Sequence, residues 1–95
     1  MPINTPENQR LAHLLARVAQ KDHVSFKRLY DLTCSRLYSV AMRLVQQPAL
    51  ADAVLQDTYI SVWERAGSYA SASTAPLAWL VATVREHALR RDRRN

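Results

Sequence analysis

The three histidines and the single cysteine of the sequence, His13, His23, His87 and Cys34, are the first candidates for metal binding or covalent catalysis. They are far apart along the chain, and none lies in an HExxH motif, a CxxC motif or a carboxylate-rich segment with metal-ligand spacing. Cys34 falls in a helical pattern beside apolar residues, where we expect a packed side chain, because a reactive thiol needs neighbours that stabilise a thiolate. The sequence therefore predicts no metal site and no cofactor.

Nucleophilic catalysis would require a serine, threonine or cysteine beside a base that a third group orients. No strand-turn-helix elbow, glycine-rich phosphate loop or catalytic dipeptide occurs in the chain. We therefore predict that the protein is not an enzyme. A small helical enzyme stays as the weakest of the hypotheses carried forward.

The composition describes one small domain. The chain has 95 residues and a mass of 10.8 kDa, a size that supports a single core. Its 13 Lys and Arg against 8 Asp and Glu give a formal net charge of +5, which favours an acidic partner such as nucleic acid. A single cysteine fits a reducing compartment, and no apolar segment has the length of a membrane span or the pattern of an export signal. We therefore expect a cytoplasmic protein.

The pattern of apolar residues predicts an all-α fold, a compact bundle of about four helices. One glycine and four prolines leave little material for β-hairpins. The first helix is predicted to begin after Thr5 and to end near Lys21. The second is predicted to follow Asp22 and to run for about 24 residues towards Pro48. Its predicted core stripe is Phe26, Leu29, Tyr30, Thr33, Leu37, Ala41, Leu44 and Val45.

The last two helices are predicted from proline and glycine positions. The third begins at Pro48 and ends at Gly67, which we expect to adopt a left-handed conformation. A polar loop of small residues, 68–74, follows. The fourth helix is predicted to be capped by Thr74, to contain Pro76 in its first turn and to run to about Arg91.

The third helix is predicted to expose Asp52, Gln56, Asp57 and Ile60, with Glu64 one turn further. Such a face is often only solvated surface, but here the other end of the chain is basic. Residues 85–95 contain five arginines against two acidic residues. This bipolar distribution predicts two partners, a basic one at the third helix and an acidic one at the arginines.

Trp79 falls opposite the apolar stripe of the fourth helix. One interpretation is that a neighbouring helix covers the ring. The other is that Trp79 joins Tyr69, in the preceding loop, in an aromatic platform on which bases stack. The sequence alone leaves both interpretations open.

Two long segments of the chain resemble region 2 of bacterial sigma factors of the extracytoplasmic-function (ECF) group, in the sigma-70 family. They read FKRLYDLTCSRLYSVAMRLV and ALADAVLQDTYISVWERAGSYASASTAPLAWLVATVREHALRRDRR, and the resemblance covers residues 24–94. The stretch from Ala51 to Trp63 is similar to the family's AEDVLQETFxxVW helix, and Pro76 to Leu80 are similar to its PLAWL segment. The resemblance implies a helical bundle that forms a single domain over residues 1–95.

The resemblance also implies partners and binding residues. In that family the domain binds the clamp helices of RNA polymerase core and recognises the melted promoter −10 element. The resemblance assigns polymerase binding to four residues of the third helix: Asp52, Gln56, Asp57 and Ile60. Binding of the single-stranded DNA falls to the loop and the fourth helix: Ser68, Tyr69, Ser71, Ser73, Trp79, Arg85, Arg90, Arg91 and Arg94.

The chain departs from the family pattern at several points. Ala53 stands where the family usually has an acidic residue, so we expect one polymerase contact fewer. Glu86 replaces an asparagine and Arg90 replaces an aspartate, so we expect an atypical promoter preference. The chain stops at Asn95 without the family's region 4, so we expect a fragment of a longer protein.

Two function classes besides catalysis stay open at this point. The first is the polymerase-binding and −10-recognition domain. The second is a helical protein-interaction module that is bound mainly by an anti-sigma-type regulator and has no DNA binding of its own. An anti-sigma factor is also a possible partner under the first hypothesis, and the chain carries no membrane anchor that we recognise.

Overall fold

The computed structural model describes the backbone of residues 5–71 and 74–94 and the side chains of residues 5–69 and 74–91. The elements are α1 (Pro6–Ala19), α2 (His23–Val45), α3 (Pro48–Arg65), a 3₁₀ helix (Ala66–Ser71) and α4 (Pro76–Arg94). The described residues form no strand, so the predicted all-α fold of about four helices is confirmed. No helix in this part of the chain is long and apolar enough to cross a membrane.

Short polar side chains begin the first two helices, as predicted. The Thr5 hydroxyl accepts a hydrogen bond from the Asn8 amide at 3.2 Å, directly before the proline that opens α1. The Asp22 carboxylate accepts hydrogen bonds from the amides of Val24 and Ser25, at 3.1 and 3.3 Å. Both caps bind amide groups that have no partner inside the helix.

Proline is the first residue of the other two helices, as predicted for α3. In α4 Pro76 lies in the first turn, as predicted, but the helix starts at Pro76, so the residue before it is Ala75 and not the predicted cap Thr74. Pro48 opens α3 and Pro76 opens α4. A proline at this position costs nothing in hydrogen bonding, because the first amide of a helix has no carbonyl partner within it. In α4 the Trp79 amide donates to the carbonyl of Ala75 at 3.0 Å, which fixes the first turn.

Gly67 does not end α3 in a left-handed conformation, and this prediction is wrong. The helix ends at Arg65, and Ala66 has right-handed helical angles, φ −56° and ψ −31°, so the chain continues directly into the 3₁₀ helix. The predicted loop is therefore helical over much of its length. Left-handed residues follow α1 and α2 instead, at Lys21 (φ 64°) and Gln46 (φ 59°).

Aliphatic side chains from all four α-helices form the core. The buried hydrophobic residues are Leu11, Leu14, Leu15, Val18, Leu29, Leu37, Ala41, Val45, Ala51, Val54, Tyr59, Val62, Ala66, Leu80, Val84 and Ala88. Each fully buried leucine or valine stabilises the fold by roughly 1.5–3 kcal/mol relative to leaving it exposed. Tyr30 and Leu44 were predicted on the core stripe of α2 but are 41% and 45% exposed. They lie at the edges of the stripe whose centre is Leu29, Leu37 and Ala41, so the neighbouring helices cover them only partly.

A buried pair of hydroxyl groups joins α2 to α3. The Thr33 hydroxyl donates to the Leu29 carbonyl at 2.7 Å and lies 2.6 Å from the Tyr59 hydroxyl. Because Thr33 has only one hydroxyl proton, the Tyr59 hydroxyl is the donor in the second bond. Burial raises the pKa of Tyr59 to about 12, so its proton stays in place at neutral pH.

Candidate functional site

A groove of about 750 Å³ lies between α2 and α3. Its lining residues are His23, Phe26, Tyr30, Asp52, Leu55, Gln56, Tyr59, Ile60 and Trp63. Most of this surface is aromatic or aliphatic, and Ile60 is 57% exposed. Asp52 and Gln56 are exposed and add polar groups to it. An open apolar surface with a few polar groups at its border is typical of a site that binds another macromolecule.

Ring contacts between the two helices form the aromatic part of this groove. His23 stacks on Trp63 with 4.6 Å between ring centroids, and Phe26 meets the same indole edge to face at 5.1 Å. Tyr30 and Tyr59 meet edge to face at 4.8 Å. Such pairs favour fixed relative orientations, so the groove is preformed in the free chain.

Lys21 contacts Trp63 at one end of the groove. Its ammonium group lies 4.9 Å from the centroid of the Trp63 ring and donates a hydrogen bond to the Trp63 carbonyl. That carbonyl belongs to the last turn of α3, the end of the helix at which a cation is favourable. Lys21, the left-handed residue that follows α1, therefore holds the indole at the end of α3 in place.

Three of the four residues predicted for polymerase binding lie on the groove: Asp52, Gln56 and Ile60. Asp57 does not line it, because it is one residue further round the helix and points towards α4. Ala53, the departure from the family pattern, is half-buried and is also not part of the lining.

The aromatic residues of the groove were missed at the sequence level. Phe26, Tyr30 and Tyr59 were counted as core, and Trp63 was noted only as part of a motif. The signal that could have found them is their spacing. Aromatic residues occur four apart on both helices, 26 and 30 on α2 and 59 and 63 on α3, which places each pair on one helix face.

Asp57 forms a two-bond ion pair with Arg91. The Arg91 Nε donates to Asp57 Oδ2 at 2.6 Å and its Nη2 donates to Oδ1 at 3.1 Å. The two side chains are 32% and 30% exposed. The carboxylate raises the pKa of Arg91, so the guanidinium stays charged. Two residues predicted for different partners are thus bound to each other.

A small hollow of about 290 Å³ surrounds this pair between α3 and α4. Ile60, Ser61, His87 and Arg90 complete its lining. The Ser61 hydroxyl lies 2.8 Å from His87 Nε2, which joins the two helices a second time. Burial lowers the pKa of His87, opposed by the nearby carboxylates of Asp57 and Glu86, so the ring is neutral at pH 7.

The arginines of α4 differ in what they contact. Arg90 donates to Glu86 one turn earlier at 2.8 Å, so the two departures from the family pattern pair with each other. Arg85 is exposed and makes no ion pair within residues 5–69 and 74–91. It borders a shallow hollow with the partly exposed Leu44 and Leu89. Of the three described arginines of α4, Arg85, Arg90 and Arg91, Arg85 is thus the most available.

Tyr69 and Trp79 form an aromatic pair between the 3₁₀ helix and α4. Their ring centroids are 5.8 Å apart with 68° between the ring planes. Both rings are half-buried and pack against the hydrophobic core, so each is partly covered and partly open. The two interpretations of Trp79 are therefore compatible. The indole is covered in part, and it stands beside the tyrosine that was predicted to join it.

The remaining predicted DNA-binding residues are placed only in part. The Ser68 hydroxyl donates to the Arg65 carbonyl at 2.7 Å and so caps the end of α3. Ser71 ends the 3₁₀ helix, although its side chain lies outside the described residues. Ser73 and the side chain of Arg94 also lie outside them.

Two of the four residues that were considered for metal or covalent chemistry have side-chain contacts of another kind. His23 stacks on Trp63, His87 bonds Ser61, and His13 is exposed on α1. Cys34 is a half-buried free thiol. Within the described ranges, no group of three or more His, Cys, Asp or Glu side chains is placed to hold a metal ion.

Comparison with known proteins gives a family and several relatives. The sequence pattern of Sigma-70 region 2 matches residues 29–95. The ECF RNA polymerase sigma factor SigK of Mycobacterium sp. (strain KMS) is 39% identical over 80 residues, which cover 84% of this chain and 42% of the relative. The protein of the same name from Mycobacterium tuberculosis (strain ATCC 25618 / H37Rv) is 36% identical over 80 residues, 43% of its length. The chain thus matches less than half of the length of these relatives.

Proposed function

Because the chain belongs to the Sigma-70 region 2 family, we propose that it is the part of a transcription initiation factor that binds RNA polymerase core and the promoter −10 element. The proposed activity is binding without covalent chemistry, in the cytoplasm. The observation that carries the proposal is the position of Asp52, Gln56 and Ile60. All three line one aromatic groove, on the helix that resembles the polymerase-binding segment of the family.

The groove suits a helical partner with both apolar and basic side chains. Its exposed apolar surface, with Ile60 and Tyr30 at the solvent, is favourable to bury against another apolar surface. An amphipathic helix is a common occupant of such a groove. Asp52 would pair with a cation on that helix and fix its orientation. The clamp helices of RNA polymerase are the occupant that we propose.

The DNA surface in this proposal is the Tyr69–Trp79 pair together with Arg85. Aromatic rings accept the face of any base, and guanidinium groups neutralise phosphates, so the combination suits a single strand. The pair stands at the start of α4, and Arg85 follows less than two turns after Trp79. Bases that leave the duplex can then stack on the Tyr69–Trp79 pair, while the phosphates of the strand lie along α4 near Arg85.

The two surfaces together account for promoter melting. Unpairing a base and flipping it out of the duplex costs a few kcal/mol, and binding to the flipped base offsets that cost. Docking on polymerase holds the domain next to the DNA, which raises the effective concentration of the binding surface. Capture of the single strand then shifts the equilibrium towards melted DNA.

Co-elution with RNA polymerase core tests the proposal. We expect the chain to elute with the core enzyme on size exclusion, and the complex to retain a single-stranded −10 oligonucleotide at moderate salt. Asp52→Arg should abolish co-elution. The matched variant Asp31→Arg, which makes the same charge change on α2 outside the groove lining, should not. Retention of neither polymerase nor DNA would instead favour a module bound mainly by an anti-sigma-type regulator.

A further inference from the structure

We propose that the Asp57–Arg91 ion pair couples the two binding surfaces, an inference that rests on the function proposed above. In the free domain Asp57 holds Arg91 and withholds its charge from nucleic acid. A polymerase helix that docks on α3 offers a cation of its own to Asp57 and so releases Arg91 to bind a DNA phosphate.

The geometry of the pair supports this role. Arg91 uses two N–H groups on the two carboxylate oxygens, at 2.6 and 3.1 Å, an arrangement that is stronger than a single hydrogen bond. Both side chains are still about one-third exposed, at 32% and 30%. The pair is therefore tight enough to compete with a phosphate and open enough for another cation or anion to reach.

Ile60 connects the pair to the groove. It lines both the aromatic groove and the small hollow that contains Asp57 and Arg91. A helix seated on Ile60 therefore lies next to the Asp57 carboxylate. Any cation that it brings there competes with Arg91 for the same oxygens.

The other two arginines of α4 whose side chains the structure describes, Arg85 and Arg90, lack this link. Arg90 pairs with Glu86 on its own helix, and Arg85 makes no ion pair within the described side chains. Among the described arginines of α4, Arg91 is the one whose acidic partner lies on α3. Docking on α3 therefore directly changes the availability of Arg91.

The test measures affinity of the isolated chain for a single-stranded −10 oligonucleotide over a range of salt concentrations. Asp57→Asn should raise the affinity roughly fivefold and steepen the logarithmic salt slope by about 0.7, as expected for one added phosphate contact. Arg91→Gln alone should change little, because the wild-type arginine is withheld. In the double variant the gain should disappear.

Asp31→Asn is the matched control, since it makes the same charge change at an exposed site on α2. Far-UV circular dichroism and thermal unfolding establish that each variant is folded. A gain of equal size in Asp31→Asn, a gain that persists in the double variant, or no gain in Asp57→Asn overturns the coupling while DNA binding itself stands. Absence of oligonucleotide binding in every variant overturns the DNA part of the proposed function as well.

A second measurement uses the isolated clamp helices. Coupling requires that the clamp helices and the oligonucleotide raise each other's affinity by the same factor, which should again be roughly fivefold in the wild type. The factor should fall to one in Arg91→Gln, which leaves the groove intact. If the clamp helices raised the affinity for the oligonucleotide by the same factor in the wild type and in Arg91→Gln, the proposal would be contradicted.

Discussion

Glu86 and Arg90 form an ion pair one turn apart on α4, with Arg90 Nη2 2.8 Å from Glu86 Oε2. These are the two residues of α4 at which we noted a departure from the family pattern in the sequence, and their side chains carry opposite charges. The pair is exposed, 62% for Arg90 and 37% for Glu86, so its contribution to stability is small. Its consequence is electrostatic, because Glu86 reduces the field that Arg90 presents to a phosphate.

We therefore predict that the α4 arginines contribute unequally to DNA binding. Arg85→Ala should weaken binding of a single-stranded oligonucleotide about fivefold at low salt and reduce the salt slope by about 0.7. Arg90→Ala should weaken it less than about twofold, because its charge is already offset. Arg28→Ala, at an exposed position of α2, is the control for net charge. Equal losses in all three variants would show that only the total charge matters.

We predict that the Tyr69–Trp79 pair stacks on bases. A Trp63→Phe variant keeps Trp79 as its single tryptophan, and its fluorescence should be quenched by a single-stranded oligonucleotide. Trp79→Leu should weaken binding by about 1–3 kcal/mol, the usual loss when a stacked aromatic side chain is removed. If a folded Trp79→Leu variant bound the oligonucleotide as tightly as the wild type, Trp79 would not belong to the binding surface, even if its fluorescence were quenched in Trp63→Phe.

The hydroxyl pair between α2 and α3 gives a prediction for stability. Tyr59→Phe should lower the free energy of unfolding by about 1 kcal/mol, because the Thr33 oxygen then loses a buried donor. Thr33 keeps its own bond to the Leu29 carbonyl, so the loss stays modest. Tyr30→Phe removes a hydroxyl from a more exposed ring and should have less effect. Urea denaturation measures both, and a larger loss in Tyr30→Phe would contradict the assignment.

Stability should also depend on pH through His87. Burial lowers the pKa of His87 below its ordinary 6.5, so as pH falls the unfolded chain takes up this proton first. The contribution is complete above pH 6.5 and is lost as the pH falls through the folded-state pKa. One proton limits the slope to about 1.4 kcal/mol per pH unit.

Urea unfolding of His87→Gln at several pH values tests this effect. The variant should lose the slope that begins just below pH 6.5, above the range in which carboxylates titrate. Asp57 and Glu86 oppose the shift, whereas Arg65 and Arg90 act with burial. Replacement of the histidine with no change in the slope would show that another group titrates there.

The helix starts could be predicted because their causes are local. Thr5 and Asp22 bind amides within three residues, and Pro48 and Pro76 carry their own backbone constraint. Gly67 was misjudged because a glycine permits a left-handed conformation without requiring it. Here the chain continues as a 3₁₀ helix.

The candidate site could be predicted only in part, for a physical reason. The acidic face of α3 follows from helical periodicity, but the partner of Asp57 is 34 residues away and depends on how α3 and α4 pack. In the same way, the groove depends on the meeting of Phe26 and Tyr30 with Tyr59 and Trp63 across two helices. Distant contacts of this kind are set by tertiary packing and leave no local signal in one sequence.

The most direct test of the central claim is the binding of the isolated clamp helices of RNA polymerase to the groove. A Trp79→Phe variant leaves Trp63, which lines the groove, as the only tryptophan. We predict saturable binding that changes Trp63 fluorescence, weakened more than about tenfold by Ile60→Arg and retained in Asp31→Arg. No binding by the wild-type chain, or full binding by a folded Ile60→Arg variant, would contradict the account.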